Sequence, residues 1–248
     1  MDAAGIVESV GAGVGRVRVG DKVMALVLPN RSEGGAQAAQ IVVPAASVTT
    51  IPKGVSLAQA STLPMNGITA MLRLELAELK AGDSLAVSGG AGHLARLVIG
   101  IAKHRGLNVI ADAKPSEAER VRSYGATIVV ARGEGFCEAV RQTVPEGADA
   151  LFDTALLLEK AFPAIRDGGV YLPVRGWGDA PSERGIRIRP VFVNTAAERT
   201  EWLEELRDLV SNGQLQLEVA AEYPPEQVAD AQRLLAAGGL RGRPVIVF

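Results

Sequence analysis

The sequence has a single cysteine, Cys137, and only two histidines, His93 and His104, among 248 residues. One thiol excludes an intrachain disulfide, and so few Cys and His leave almost no basis for a zinc site built from them. No apolar run approaches about 18 residues, which excludes a membrane-spanning helix. Neither sign of charge dominates: the formal net charge is −2, so nothing in the balance points to a nucleic acid or another polyanion. Arg184, Arg187 and Arg189 form a short basic patch that reads as a solvated loop. The scarcity of cysteine and the lack of a signal-like apolar stretch after Met1 lead us to expect a reducing, cytoplasmic setting.

What is present is ordinary for a globular chain, 48% hydrophobic and 22% charged, with length for one large domain or two modest ones. Its style changes along the sequence. Residues 1 to 60 carry short Val-rich runs at 5–10, 22–27 and 40–44, separated by turn residues, an all-β signature. From there strands and helices alternate: strands are expected at 84–88, 107–112, 126–130, 149–153, 169–174 and 188–193, and helices at 92–104, 116–124, 134–143, 156–165 and 198–211. These strands are apolar throughout, as when helices cover both faces, and the alternation implies a doubly wound parallel sheet in an α/β fold. The last segment offers a strand at 215–220, a helix at 226–236 stopped by Gly238 and Gly239, and a strand at 243–248.

The most informative stretch is "SLAVSGGAGHLARLVIGIAK", residues 84–103. Gly90, Gly92 and Ala95 fit G-x-G-x-x-G/A between an apolar strand and an amphipathic helix, with a second strand following. In that context the pattern reads as a dinucleotide site, the alternative being a tight turn with no ligand. Gly90 is expected to permit the tight turn, Gly92 to let the backbone approach a pyrophosphate, and Ala95 to keep helix and strand close, while the helix N-terminus offers amides to phosphate. His93 is bulky for such a turn; its ring is expected to face out or toward the cofactor edge. Which dinucleotide binds depends on the end of the second strand. Asp112 lies roughly 20 residues on, where NAD enzymes place a ribose-binding acid. Strand alternation sends Asp112 and Ala113 to opposite sides. With Ala113 at the ribose, no carboxylate repels a 2′-phosphate, and Lys114 and Ser116 can bind one, so the reading leans to NADP(H).

Other phrases accompany the turn. "DAAGIVESVG" at 2–11, "VGDKV" at 19–23, "STLPMNGITA" at 61–70, "LKAGD" at 79–83, "RSYGA" at 122–126 and "GLRGRPV" at 239–245 together resemble the medium-chain dehydrogenase/reductase superfamily, across essentially the whole chain. The branch they resemble is the zinc-independent quinone oxidoreductase group that includes zeta-crystallin. The resemblance implies a GroES-like β-barrel catalytic domain interrupted by a Rossmann domain. We divide the chain into a partial GroES-like domain at 1–65, a Rossmann NADP-binding domain at 66–212 and a return to the catalytic domain at 213–248. Family chains begin about sixty residues earlier, so the barrel is expected to be incomplete.

The implied activity is NADPH-dependent reduction of quinones, enones or related carbonyl compounds by hydride transfer, with no metal. The alternatives are a dinucleotide-binding protein without catalysis and an enoyl reductase acting on acyl thioesters. Carried over residue by residue, Ser88, Gly89, Gly90, Ala91, Gly92, His93 and Leu94 line the pyrophosphate. Ala113, Lys114 and Ser116 surround the adenosine ribose, and Asn66 and Thr69 face the nicotinamide and substrate as the catalytic candidates. Asp153, Thr154, Val174, Arg175 and Gly176 end the fourth and fifth strands beside the cofactor, and Phe192 and Val193 close over its nicotinamide side. The partner is a small-molecule quinone or enone, and a homodimer pairing near 189–193 is a family expectation. The bland alternatives stay open: Lys114 as a solvated loop lysine, Asn66 and Thr69 as helix caps, Asp153 as a turn cap, and Arg175 with Trp177 as an exposed loop rather than substrate contacts. Tyr171 and Tyr124 read as packing residues, and Cys137, without basic neighbours on its helix, as inert.

Overall fold

The computed structural model describes residues 1–32, 34–175, 177–178 and 182–248. In chain order they form β1 (Asp2–Ile6), β2 (Lys22–Leu26), β3 (Val48–Thr50), α1 (Leu57–Ala60), α2 (Pro64–Ala77), β4 (Ser84–Ser88), α3 (His93–His104), β5 (Asn108–Ala113), α4 (Ala118–Ser123), β6 (Ile128–Ala131), α5 (Phe136–Thr143), β7 (Ala148–Asp153), β8 (Ile165–Pro173), β9 (Arg187–Ile188), α6 (Thr200–Ser211), β10 (Val219–Tyr223), α7 (Val228–Ala237) and β11 (Arg243–Ile246). They divide into two compact units, one made of Met1–Ile68 with Val193–Phe248, the other of Thr69–Phe192.

The unit Thr69–Phe192 is built on a six-stranded sheet in the order β6-β5-β4-β7-β8-β9. Every neighbouring pair is parallel. All five residues of β4 are buried, which is why that strand shows no polar alternation. The order reverses between β4 and β7, and the carboxyl ends of strands at such a point are where α/β sheets bind ligands. This is the doubly wound sheet expected from the sequence. On one side Phe136, Val140, Leu151, Phe162, Ile165 and Tyr171 form a buried cluster.

Two elements of this unit differ from expectation. The helix expected at 156–165 is a 3-10 segment, Leu158–Ala164, with Pro163 inside it; the proline removes a backbone donor and denies the segment an α-helical ladder. The strand expected at 188–193 stops after Arg187–Ile188. Arg189 still donates to the Tyr171 carbonyl at 2.9 Å, but Pro190 has no N–H with which to extend the ladder.

In the other unit β1, β2 and β3 form an antiparallel sheet over a small core of Val17, Ala25, Val27 and Val48. The strand expected at 5–10 lies earlier, at Asp2–Ile6. Residues 40–44 form no strand: Ile41 and Val43 pack on the core cluster while Val42 is 75% exposed, so the alternation marks an inward face without a ladder. The strand expected at 215–220 begins at Val219, because Gln214 and Leu215 still donate to the Leu209 carbonyl as the closing turn of α6. Residues 193–212 belong to this unit, which shifts the boundary expected at 213. Helix α6 buries Trp202, Leu203 and Leu206; the Ser47 hydroxyl donates to the Ala197 carbonyl at 2.9 Å and Thr200 to that of Ala46 at 2.6 Å.

Candidate active site

The glycine turn follows β4 and opens α3 at the carboxyl edge of the sheet. Its three glycines have distinct jobs. Gly89, with φ +72°, is the left-handed residue of the turn, and an added Cβ there would lie 2.6 Å from Thr154 Oγ1. The tight-turn role expected of Gly90 thus falls on its neighbour. Gly90 is required for packing instead: a Cβ would sit 2.5 Å from the Asp112 carbonyl oxygen and 3.1 Å from Ala111 Cβ. Gly92 is the N-cap of α3, donates to the Gly89 carbonyl at 2.8 Å, and would place a Cβ 3.1 Å from that oxygen. A helix leaves its first-turn amides without intrahelical partners, so the backbone of His93 and Leu94 opens toward the same edge. Ala91 and Ala95 are buried, Ala95 giving the close helix–strand approach expected. His93 is also buried, at 9% exposure; its ring does not face out.

Asp112 is not an available ribose acceptor. It is 4% exposed and its Oδ1 accepts the Gly90 N–H at 2.8 Å. Burial pushes its carboxyl above the ordinary value, against the pull of the Gly90 amide and Arg132. Beyond it the chain end is cationic. Ala113 is buried, while Lys114 and Ser116 are exposed. Ala113 pairs with Ala131 in the parallel ladder, and Arg132 donates its N–H to the Ala113 carbonyl at 3.0 Å. Lys114 and Arg132 therefore follow the last paired residues of two adjacent strands. Sequence reasoning found Lys114 and missed Arg132; its only signal was a basic residue directly after an apolar strand.

Asp153 and Ser88 sit deeper than a cofactor contact requires. Both are 0% exposed. The Asp153 oxygens accept from Ser88 Oγ at 2.7 Å, Tyr171 OH at 2.7 Å, Ala155 N at 3.1 Å and Leu158 N at 2.9 Å. Ser88 Oγ also accepts from the Thr154 amide at 3.1 Å, and Thr154 Oγ1 donates to the Ser88 carbonyl. The side chain placed beside the cofactor in Asp153 is thus an internal clamp on the ends of β4, β7 and β8. Burial and Asp153 both push the Tyr171 phenol up, so it stays a donor. Val174 continues this edge, donating to the Asp153 carbonyl at 3.3 Å, and Arg175 is exposed. Gly176 lies outside the described residues. Trp177 stands 5.2 Å from the Tyr171 ring and 5.6 Å from the Phe162 ring and packs against that cluster.

Asn66 and Thr69 are inside α2, past its start at Pro64, so neither is its N-cap. The Asp2 carboxylate accepts the Met65 amide there instead. Asn66 is 7% exposed and its Nδ2 has no hydrogen-bond partner among the described residues. Thr69 is 8% exposed. Phe192 is 65% exposed, and Val193 opens a 3-10 turn, Val193–Ala196. Cys137 donates to the Lys160 carbonyl at 3.1 Å, and burial raises its pKa, which fits an inert thiol.

A family described as "Zinc-binding dehydrogenase" matches residues 118–246. The NADPH-dependent alkenal/one oxidoreductase of Arabidopsis thaliana chloroplasts is 30% identical over 99% of this chain and 62% of its own length. The 2-methylene-furan-3-one reductase of Solanum lycopersicum is 29% identical over the same shares, 99% and 62%. The chain thus spans 62% of the length of each of these curated relatives. Among solved structures, an alcohol dehydrogenase superfamily protein from Novosphingobium aromaticivorans superposes with a TM-score of 0.89 at 26% identity, covering 100% of this chain and 81% of its own. The family's description mentions zinc, but no group of three His, Cys, Asp or Glu able to hold a metal occurs among the described residues, so the residues present do not fit that metal.

Proposed function

We propose that this chain, which belongs to the zinc-binding dehydrogenase family, binds NADPH and reduces a carbon–carbon double bond conjugated to a carbonyl, without a metal. The observation that carries the reading is the glycine turn at the switch point of the parallel sheet, where no Cβ fits at Gly89 or Gly90 without a contact of 2.6 Å or less. Such a cradle brings backbone amides against a pyrophosphate. Gly89 to Leu94 hold that group, and Val174 and Arg175 flank the cofactor farther along the edge. The NADP form is favoured because Asp112 is committed to Gly90 while Lys114 and Arg132 offer charge to a 2′-phosphate. When bound, the cofactor supplies a hydride. The chain's own task is to orient the reactants and polarise the carbonyl. Asn66 suits that task, since its buried Nδ2 is a donor without an acceptor among the described residues. The substrate class is inferred from the two plant relatives, whose names both describe α,β-unsaturated carbonyl compounds.

The test is a fluorescence titration with NADPH and NADH, followed by absorbance assays of NADPH consumption with a short enone, its saturated ketone and 9,10-phenanthrenequinone. Expected are saturable NADPH binding and turnover of the enone but not the ketone. NADPH binding without turnover of the enone or the quinone would make the chain a dinucleotide-binding protein without this catalysis. Quinone turnover alone would replace the enone reading. No NADPH binding would overturn the cofactor assignment.

A further inference from the structure

Tyr171 carries a hydroxyl that its packing does not require. It lies in β8, beside β7 in the sheet, and is 0% exposed, as are Ser88 at the end of β4 and Asp153 at the end of β7. Its ring is held by other rings, meeting Phe162 edge-on at 5.4 Å and Trp177 at 5.2 Å. Its hydroxyl donates to Asp153 Oδ2 at 2.7 Å, and Ser88 Oγ donates to Asp153 Oδ1 at 2.7 Å. Packing accounts for the ring but not for the hydroxyl. A phenylalanine would fill the same place, and a buried polar group costs free energy unless it is paired.

We propose that Tyr171 is a positioning residue of the cofactor site, its hydroxyl setting Asp153 and, through Ser88 and Thr154, the glycine turn. Each link is a hydrogen bond. Ser88 Oγ, bound to Asp153, accepts from the amides of Thr154 and Ala155 at 3.1 Å and 3.2 Å. The Thr154 hydroxyl donates back to the Ser88 carbonyl, which fixes the plane of the Ser88–Gly89 peptide, the first of the turn. The Gly89 carbonyl then accepts the amide of Gly92, the N-cap of α3. Tyr171 thus acts on the helix N-terminus without touching it: a ring anchored on β8 gives the carboxylate one orientation, and the carboxylate passes it to the turn. Without the hydroxyl, Asp153 Oδ2 retains the Leu158 amide at 2.9 Å but loses this tie to β8, while every turn residue stays in place.

This inference rests on the reading of the turn as a dinucleotide cradle, and the parent chain's NADPH titration separates the two. A parent that does not bind NADPH overturns both. With binding established, Tyr171→Phe is expected to raise the Kd for NADPH about fivefold, and Thr154→Val, which removes the last hydroxyl of the relay, about tenfold. The double variant is expected to stay near the loss of Thr154→Val alone, well short of the roughly fiftyfold that independent sites would give. Phe162→Leu disturbs the packing of the same ring and keeps the hydroxyl. It is expected to lower the melting temperature and to change the Kd by less than about twofold. A Tyr171→Phe variant that binds like the parent, a double variant showing the full product of the two losses, or a Phe162→Leu variant that loses as much affinity as Tyr171→Phe would each overturn the proposal. Should Tyr171→Phe fail to fold, hydrogen exchange in the parent decides. NADPH is expected to slow the Leu158 amide, which Asp153 holds outside the turn, at least about threefold more than the Val144 amide, which closes α5 on Val140. Equal slowing of the two amides overturns the proposal.

Discussion

At the scale of single residues the site depends on what cannot be added to it and on which charges are already taken. Gly90 is the sharper case. Its missing Cβ would meet backbone oxygen at 2.5 Å, and backbone in a parallel sheet cannot yield as a side-chain tip can. Gly90→Ala is expected to destabilise the fold by about 1–3 kcal/mol and to weaken NADPH binding, both read by melting with and without cofactor. Gly5→Ala, with nothing within 4 Å of its Cβ, serves as the neutral control. Asp2 gives a pH signature in the other unit. Burial pushes its carboxyl from 3.8 up to about 6, against the pull of the Met65 amide and Arg243. Between those values the folded state holds the proton more tightly than the unfolded chain does. The group's contribution therefore favours the fold at low pH and is lost as pH rises through about 6. Asp2→Asn is expected to melt higher than the parent at pH 7.5, by about 1–2 kcal/mol, with the gap closing near pH 4.5. A gap that is the same at both values would show that the carboxyl does not titrate in this way.

At the scale of elements, what the sequence revealed followed from how local the signal was. Strand β4 was legible to the residue because an unbroken apolar run met a glycine cluster. Helix α3 followed from its amphipathic pattern and the same cluster. The segment Leu158–Ala164 was misread because its apolar spacing is helical while Pro163 decides the hydrogen bonding. Residues 40–44 were misread because alternation reports a face and not a ladder partner. Helix α2 shows the same limit: the sequence placed a helix after Pro64, but nothing local announced that Arg73 would be among its buried side chains. One close contact of α2 is testable at this scale. A Cβ on Gly67 would lie 2.6 Å from Leu206 Cδ1 and 3.2 Å from Leu63 Cδ1, both the flexible ends of leucines. Overpacking is then offset by the gain of about 1 kcal/mol in helix propensity on replacing glycine. Gly67→Ala is expected to cost clearly less than Gly90→Ala in a denaturant titration. The reverse order would mean that the leucine ends cannot give.

At the scale of the whole molecule, the two units reflect the chain's change of style from short β runs to alternating strands and helices. The return at Val193 was not legible, because the pattern of α6 says that one face is buried but not against which unit. The same distinction governs the cofactor rim. Lys114 was visible in sequence beside the second strand of the sheet. Arg132 joins it only because β5 and β6 pair in parallel with Ala113 opposite Ala131, and the commitment of Asp112 to Gly90 was hidden by the same folding. These three residues make one joint prediction about cofactor choice. On the proposed reading, two exposed cations act on a phosphate that NADPH carries and NADH lacks, while the Asp112 carboxylate is held by the Gly90 amide. Lys114→Ala and Arg132→Ala are each expected to weaken NADPH about tenfold while changing NADH by less than about twofold. The parent's preference for NADPH is also expected to narrow as salt rises, since charges at the surface are screened within about 10 Å at 0.1 M and less at higher ionic strength. Titrations of both nucleotides at low and high salt decide the matter. A preference unmoved by salt and by both substitutions would place the selection at groups other than this rim, because no neutral contact to the ribose responds to ionic strength in that way.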